Sequence, residues 1–379
     1  MGLVLNEEQR LLQDTAKEFL ASTAPIAELR KIRDEGIANQ HSTELWQQMT
    51  EMGWSSITIP EAYGGLEFGY TGLGTIFEKI GRNLTASPLF SSAVMAASII
   101  ELGGSEEQKQ ALLPLIASGE LVATVAIDDG PRHNPLGTLA CLSANGDGFT
   151  LNGEKAFVAE AGYADKLIVL CRSAGGAGDA EGLSAVVVDA NAVGVNAKPI
   201  SVFDSRNYAN VQFDNVAVEA TAVIGDVGAA WAFVEPALDR GRIIAACELM
   251  GVASESFDRT VEYLKDREQF GRKIGTFQAL QHRASHMYAQ LELLKSVLLD
   301  ALGAIDEQRA DLALAASHAK ALASDTATLV VNEAVQMHGG IGVTDELDIG
   351  LLFKRARVLR DLLGTGRYHQ DRFATLNGY

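Results

Sequence analysis

The order in which hydrophobic periods change along the chain limits the fold most. Residues 228–266, 276–304, 309–338 and 346–361 each carry apolar residues at helical spacing, with only short breaks between them. Helices of that length, joined by short loops, bury their apolar stripes against one another as an antiparallel bundle. Between about 120 and 225 the pattern changes to short β-rich runs, at 121–127, 148–158, 166–171, 183–189 and 209–213. Leu167-Ile168-Val169-Leu170 and Val186-Val187-Val188 have the composition of buried strands. No long helix separates these runs, so an antiparallel sheet is expected. Asn145-Gly146-Asp147-Gly148 and Asn152-Gly153 read as turns, and Ser173–Gly182 as an exposed loop.

The first third is helical again. Asn6 followed by Gln9 has the form of a capping box, and Leu12, Ala16, Phe19 and Leu20 then share one helical face. Further helices are predicted over 42–52, 71–82, 88–102 and 105–118, with breaks at Pro60, Tyr63-Gly64-Gly65 and Gly103-Gly104. The expected organisation is an N-terminal helical domain (1–119), a middle β-domain (120–225) and a C-terminal helical bundle (226–379). A length of 379 residues suits two or three domains.

Composition removes several function classes. With 31 basic and 49 acidic residues the net charge is −18, which argues against a nucleic-acid partner. A hydrophobic content of 47 % marks a globular chain. Cys141, Cys171 and Cys247 form no disulfide framework and no CxxC, so a reducing, cytoplasmic location is expected. The opening MGLVLNEEQR lacks the basic and apolar regions of a targeting signal. No apolar run reaches the roughly 18 residues of a membrane span.

No G-x-S-x-G, P-loop or strand-borne G-x-G-x-x-G occurs. His282 and His286 lie four apart on a predicted helix, but a metal site needs more ligands, and packing or surface histidines fit better. Two segments stand out. In Arg267–Ile274, followed by Phe277-Gln278-Ala279-Leu280-Gln281-His282, a long helix is expected to end at a glycine before a basic turn and a new helix. A helix N-terminus beside arginines is an anion site, though a C-cap glycine with solvated charges reads equally well. In Gln336-Met337-His338-Gly339-Gly340-Ile341-Gly342 the glycines bring backbone N–H groups near a phosphate, or simply stop a helix. Lys354, Arg355, Arg357 and Arg360 form a basic cluster, which reads as a ligand-steering patch or as a solvated helix face.

Taken together, these two segments resemble the acyl-CoA dehydrogenase family. Tyr63-Gly64-Gly65, Phe203-Asp204-Ser205-Arg206, Val211–Val216 and Leu238-Asp239-Arg240-Gly241-Arg242 extend the resemblance over nearly the whole chain. It implies a mainly α fold with a central β-domain: an N-terminal helical domain, an antiparallel β-barrel or sandwich, and a C-terminal four-helix bundle. It implies FAD as cofactor and an acyl-CoA thioester as substrate. Arg267, Phe270, Gln278, Gln336, Gly339 and Gly340 match residues that grip the ADP part of FAD, partly across a subunit interface. Thr365, Phe157 and Ile127 match positions beside the flavin.

The catalytic end departs from the family. A glutamate opposite the flavin removes the α-proton in most members; here Leu363 stands at that position. A branch of the family supplies the base from the first bundle helix, where this chain has Gly241. Asp239, Glu248 and Asp361 are the nearby carboxylates, and Arg242 matches an arginine near the acyl thioester. Asp361, two residues before Leu363, is expected to face away from that position on a helix. Ile127-Asp128-Asp129-Gly130 and Phe157-Val158-Ala159 replace the usual Thr-Glu-Pro-Gly and Trp-Ile-Thr runs, which removes hydrogen-bonding groups.

This combination resembles the small subunits of heteromeric acyl-CoA dehydrogenases, including those of steroid side-chain degradation and the pimeloyl-CoA type. The expected partner is then a homologous subunit that carries the base, in an α2β2 assembly. Electron-transferring flavoprotein as the reoxidant is implied by the family. A homotetramer with a relocated base, a lyase- or desulfinase-like acyl-CoA enzyme, and a partner protein without flavin are the alternatives.

Overall fold

The computed structural model describes residues 4–37 and 39–379. Chain contacts divide it into two compact units, one of the described residues up to Lys31, Tyr70–Thr85 and Arg242–Tyr379, the other of Ile32–Gly69 and Ala86–Gly241.

The first unit is helical. Helix α1 (Glu7–Thr23) opens on the expected capping box, in which Asn6 Oδ1 accepts from Gln9 N at 2.8 Å and Gln9 Oε1 accepts from Asn6 N at 3.0 Å. Helix α2 (Ile26–Glu35) follows, and α3 (Thr43–Glu51) belongs to the second unit. Helix α4 (Tyr70–Asn83) packs on α1. In the second unit, a π-helical turn over Phe90–Ala96 leads into α5 (Ala97–Gly103), and α6 (Glu106–Ala117) comes next.

The sheet of the second unit contains β1 (Ala123–Ala126), β2 (Cys141–Asn145), β3 (Gly148–Ala159), β4 (Lys166–Arg172), β5 (Leu183–Asp189), β6 (Val195–Ile200), β7 (Tyr208–Val218) and β8 (Val223–Ile224). Its order is β6-β7-β3-β2-β4-β5-β8, with β1 paired to β4. The β2–β3, β3–β7, β4–β5, β5–β8 and β6–β7 pairs are antiparallel, as expected; β1–β4 and the single β2–β4 pairing are parallel. The β2–β3 hairpin serves as the crossover between β1 and β4, so no helix is needed there. Leu151, Leu167, Val169, Val186, Val211 and Phe213 fill the core of this sheet. Asn152-Gly153 is not a turn. It lies within β3 at a register shift, where Gly153 (φ +141°) crosses so close to Ala140 that a Cβ would sit 2.7 Å from its Cα.

Helix α7 (Trp231–Asp266) begins in the second unit and continues into the first. After it come a small hairpin of β9 (Glu268–Gln269) and β10 (Arg272–Lys273), then α8 (Gln278–Asp306), α9 (Leu312–His338), α10 (Ile349–Asp361) and α11 (Gly366–Leu376). The expectation that α7 ends at Gly271 is corrected. The helix stops at Asp266, and Phe270-Gly271 forms the hairpin turn with positive φ at both residues. The Arg283–Glu333 ion pair matches the start of α8 to the end of α9, which makes these two helices antiparallel. The Asp306 carboxylate at the end of α8 accepts from the N–H groups of Tyr70 and Thr71, satisfying orphan donors at the start of α4. No helix among the described residues is long and apolar enough to cross a membrane.

Candidate flavin and acyl-CoA site

In the first unit the hairpin holds Arg267 and Phe270 in the open. Phe270 is 92 % exposed and meets Phe277 edge-on at 6.2 Å. Arg272 lies over the Phe277 ring at 4.1 Å, a cation–π contact that fixes the base of the turn. Phe277 is also the N-cap of α8 and supplies no side-chain cap, while its carbonyl accepts from Leu280 N and Gln281 N. Gln278 starts the helix, exposed.

The second segment ends α9. Gln336, Gly339 and Gly340 are exposed, and a Cβ at either glycine would meet nothing within 4 Å. Gly339 has φ +66°, the conformation that turns the chain out of the helix. Tyr263, near the end of α7, stacks on His338 with centroids 4.4 Å apart, and its hydroxyl donates to His338 O at 3.4 Å. This stack and the Arg283–Glu333 pair bring the ends of α7, α8 and α9 together. Arg267, Gln278 and Gln336 have no side-chain hydrogen bond within the described residues.

The Arg267 guanidinium, the Gln278 and Gln336 amides and a helix start without a side-chain cap offer donors beside an exposed glycine turn, whose Gly339 N–H is itself taken by Gln336 O. That chemistry fits the phosphates and ribose of an ADP moiety.

Thr365 is the N-cap of α11, its Oγ1 accepting from Tyr368 N at 3.2 Å. Leu363 is half-buried with φ +56°. Its carbonyl accepts from Arg242 Nε at 3.4 Å, and His369 Nε2 lies 3.0 Å away. Arg242 is fully buried, so the chain does place it against the expected base position.

The nearby carboxylates are engaged or sequestered. Glu248 is 2 % exposed and takes a two-pronged ion pair from Arg355, at 2.8 and 3.1 Å. Asp361 is exposed and pairs with Arg360 at 3.0 Å. Asp239 is 2 % exposed. Leu363 lies outside α10, which ends at Asp361. The basic cluster separates as well: Arg355 is buried on Glu248, Arg360 pairs with Asp361, and Arg357 packs over the Phe353 ring and donates to Asn332.

In the second unit Phe157 is 51 % exposed at φ +52°. The register shift of β3 against β7 between Lys155 and Val158 turns it out of the sheet, and Asn210 Oδ1 accepts from its N–H. Ile127 is buried, and its carbonyl accepts from Lys155 Nζ at 2.7 Å. Lys155 also reaches Asp129 Oδ1 at 2.5 Å and Thr138 Oγ1 at 3.2 Å. Burial pulls its ammonium below the usual lysine range, and the Asp129 carboxylate opposes that shift.

A cavity of about 620 Å³ in the first unit, among α1, α4, α7 and α8, includes none of the sequence-predicted site residues. His282 and His286 are exposed on α8, and no metal-binding cluster occurs among the described residues.

Comparison with known proteins shows the family. The N-terminal, middle and C-terminal domain models of acyl-CoA dehydrogenase match residues 6–120, 132–216 and 228–375. Mitochondrial isobutyryl-CoA dehydrogenase of Bos taurus is 30 % identical over 370 residues, covering 95 % of this chain and 86 % of the relative. A structure of the Tcur3481-Tcur3483 steroid ACAD is 30 % identical, with a TM-score of 0.87 over 98 % of each chain. A chain solved in work on the electron transferring flavoprotein of Acidaminococcus fermentans is 26 % identical, with a TM-score of 0.92 over 100 % of both. The class is that of flavoprotein oxidoreductases acting on CH–CH bonds. The chain belongs to the acyl-CoA dehydrogenase family, whose members depend on FAD.

Lys320 and His369 are absent from the sequence expectations. Both are fully buried against the turn that carries Leu363. A signal existed for the first: Lys320 interrupts the apolar stripe that runs through Ala316, Ala323 and Ala327.

Proposed function

We propose that this chain is the FAD-binding, base-lacking subunit of a heteromeric acyl-CoA dehydrogenase. One observation carries the reading. Leu363 and Gly241 stand where the family resemblance places the base, while the side chains of Arg267, Gln278 and Gln336 make no hydrogen bond among the described residues. Neither leucine nor glycine accepts a proton, and a positioned base contributes about 10²- to 10⁴-fold to rate. The other carboxylates are poor substitutes, because Glu248 would have to leave Arg355 and Asp361 is held by Arg360.

FAD, when bound, supplies the two-electron acceptor for the hydrogen that leaves the β-carbon. The hairpin and the Gly339-Gly340 turn hold its ADP end, with Thr365 of the same unit towards the ring system; Phe157 and Ile127 of the second unit match flavin-side positions by resemblance to the family. Arg242 shapes the acyl pocket around Leu363. A homologous partner subunit provides the carboxylate that takes the α-proton, in an α2β2 complex. The steroid ACAD relative supports a bulky, steroid-derived acyl group. Electron-transferring flavoprotein is the reoxidant, and the location is cytoplasmic.

The test is an absorbance spectrum before and after anaerobic addition of acyl-CoAs. The chain is purified alone and after co-expression with a homologue that keeps the glutamate. Bleaching of bound flavin only in the co-expressed sample is the expected result. Bleaching by the chain alone overturns the reading, because a base must then lie within it.

A further inference from the structure

Three helices send a buried side chain to the turn between α10 and α11. Lys320 of α9 donates from Nζ to the carbonyl oxygens of Arg360, at 2.9 Å, and Gly364, at 3.1 Å. Arg242 of α7 donates to Leu363 O, and His369 of α11 lies against the same oxygen. All three side chains are 0 % exposed. A carbonyl only accepts, so Nε2 of His369 carries the proton.

The turn needs outside support. Arg360 O belongs to the last turn of α10, where carbonyls have no partner within the helix. Leu363 and Gly364 have φ +56° and +111°, and a leucine in that region persists only where its surroundings fix it. At Gly364 an added Cβ would lie 2.5 Å from the Tyr368 ring and 2.8 Å from His369 Nε2. The turn has therefore closed onto its neighbours. Lys320 meanwhile makes no ion pair among the described residues; its hydrogen bonds go to the two carbonyls at either end of the turn. A buried amine is costly unless its hydrogen bonds are made.

We propose that Lys320 is a positioning residue: it ties Arg360 O to Gly364 O and thereby fixes the directions in which Leu363 and Thr365 are presented. The assignment rests on the reading that position 363 and Thr365 face the acyl thioester and the flavin. It adds a residue of α9 that touches neither.

The experiment uses the full chain with Lys320→Met, which fills the space without donating, and Lys320→Gln, which keeps a donor. Amide hydrogen exchange is followed without ligand. Peptides across 360–368 are expected to exchange at least tenfold faster in Lys320→Met, with 312–330 unchanged and Lys320→Gln intermediate. The FAD dissociation constant should rise at least fivefold in the same variant. Unchanged exchange at 360–368, or an equal rise throughout α9, overturns the proposal. So does faster exchange with unaltered FAD affinity. If Lys320→Met does not fold, the comparison of Lys320→Gln with wild type decides by the same criteria. If wild type binds no FAD, the flavin reading fails, while exchange still decides whether Lys320 holds the turn.

Discussion

At the scale of single residues, two buried lysines do work that the sequence shows only as lone charges. Lys155 ends on a carboxylate, Lys320 on two carbonyls. Burial pulls both ammonium groups below the usual lysine range, and at Lys155 the Asp129 carboxylate opposes it. Burial is the main force that pulls Lys320 down to about 7; Asp361 opposes it, while Arg242 and Arg360 add to it. The folded-state value lies below the unfolded one, so the native state favours the neutral amine. Below about pH 7 both states are protonated and the full penalty of burying the charge is present. Between that pH and the unfolded lysine value the unfolded chain binds more protons, and stability rises with pH. Relative to Lys320→Met, wild type should gain up to about 1.4 kcal/mol per pH unit from pH 7.5 to 9. Urea titrations of both proteins at several pH values measure this, and parallel pH curves would remove the neutral amine. The acceptors explain why sequence could not reveal the clamp. Backbone carbonyls carry no residue identity, so only the charge on an apolar stripe hinted at it.

At the scale of elements, helices were legible wherever a stripe at helical spacing faced a core. The expected 309–338 and 276–304 match α9 and α8 to within a few residues. What failed were the readings that rested on a glycine alone. Gly153 and Gly271 have the same freedom as turn glycines, but one lets two strands approach and the other turns a hairpin. The crossing of α4 and α7 depends on glycine more strictly. A Cβ on Gly81 would stand 2.1 Å from Glu248 O, and one on Gly251 would stand 1.9 Å from Glu78 O. The two helices approach through this reciprocal pair of notches, with Arg82 bridging Glu78, Glu255 and Asp258 beside it. Either Gly81→Ala or Gly251→Ala must push the helices apart, at a cost of about 2–3 kcal/mol. One displacement relieves both clashes, so the double variant should cost clearly less than the sum. Thermal midpoints of the four proteins form the cycle, and strict additivity would show that the notches act separately.

At the scale of the whole molecule, the question is what an acidic chain gains from an exposed basic hairpin. A net charge of −18 repels other copies and anionic ligands alike. Arg267 and Arg272 make a local exception, Lys273 being paired with Glu268, and Phe270 stands at its tip. Single exposed apolar residues are ordinary, but this one is held in a left-handed turn by two short strands and is 92 % exposed. A ring so placed buries almost nothing within its own chain, so Phe270→Ala should leave thermal stability within about 0.5 kcal/mol of wild type. Its area becomes useful only on contact with another surface, where an aromatic anchor carries a large share of the binding energy. The variant, co-purified with the glutamate-bearing homologue proposed above, should therefore dissociate at about tenfold higher protein concentration than wild type. Light scattering across a dilution series reads this directly. If the assembly is unchanged and only FAD is lost, the ring serves the cofactor and not the subunit contact. If the melting temperature falls instead, Phe270 belongs to the fold of its own chain, and the hairpin is no interface at all.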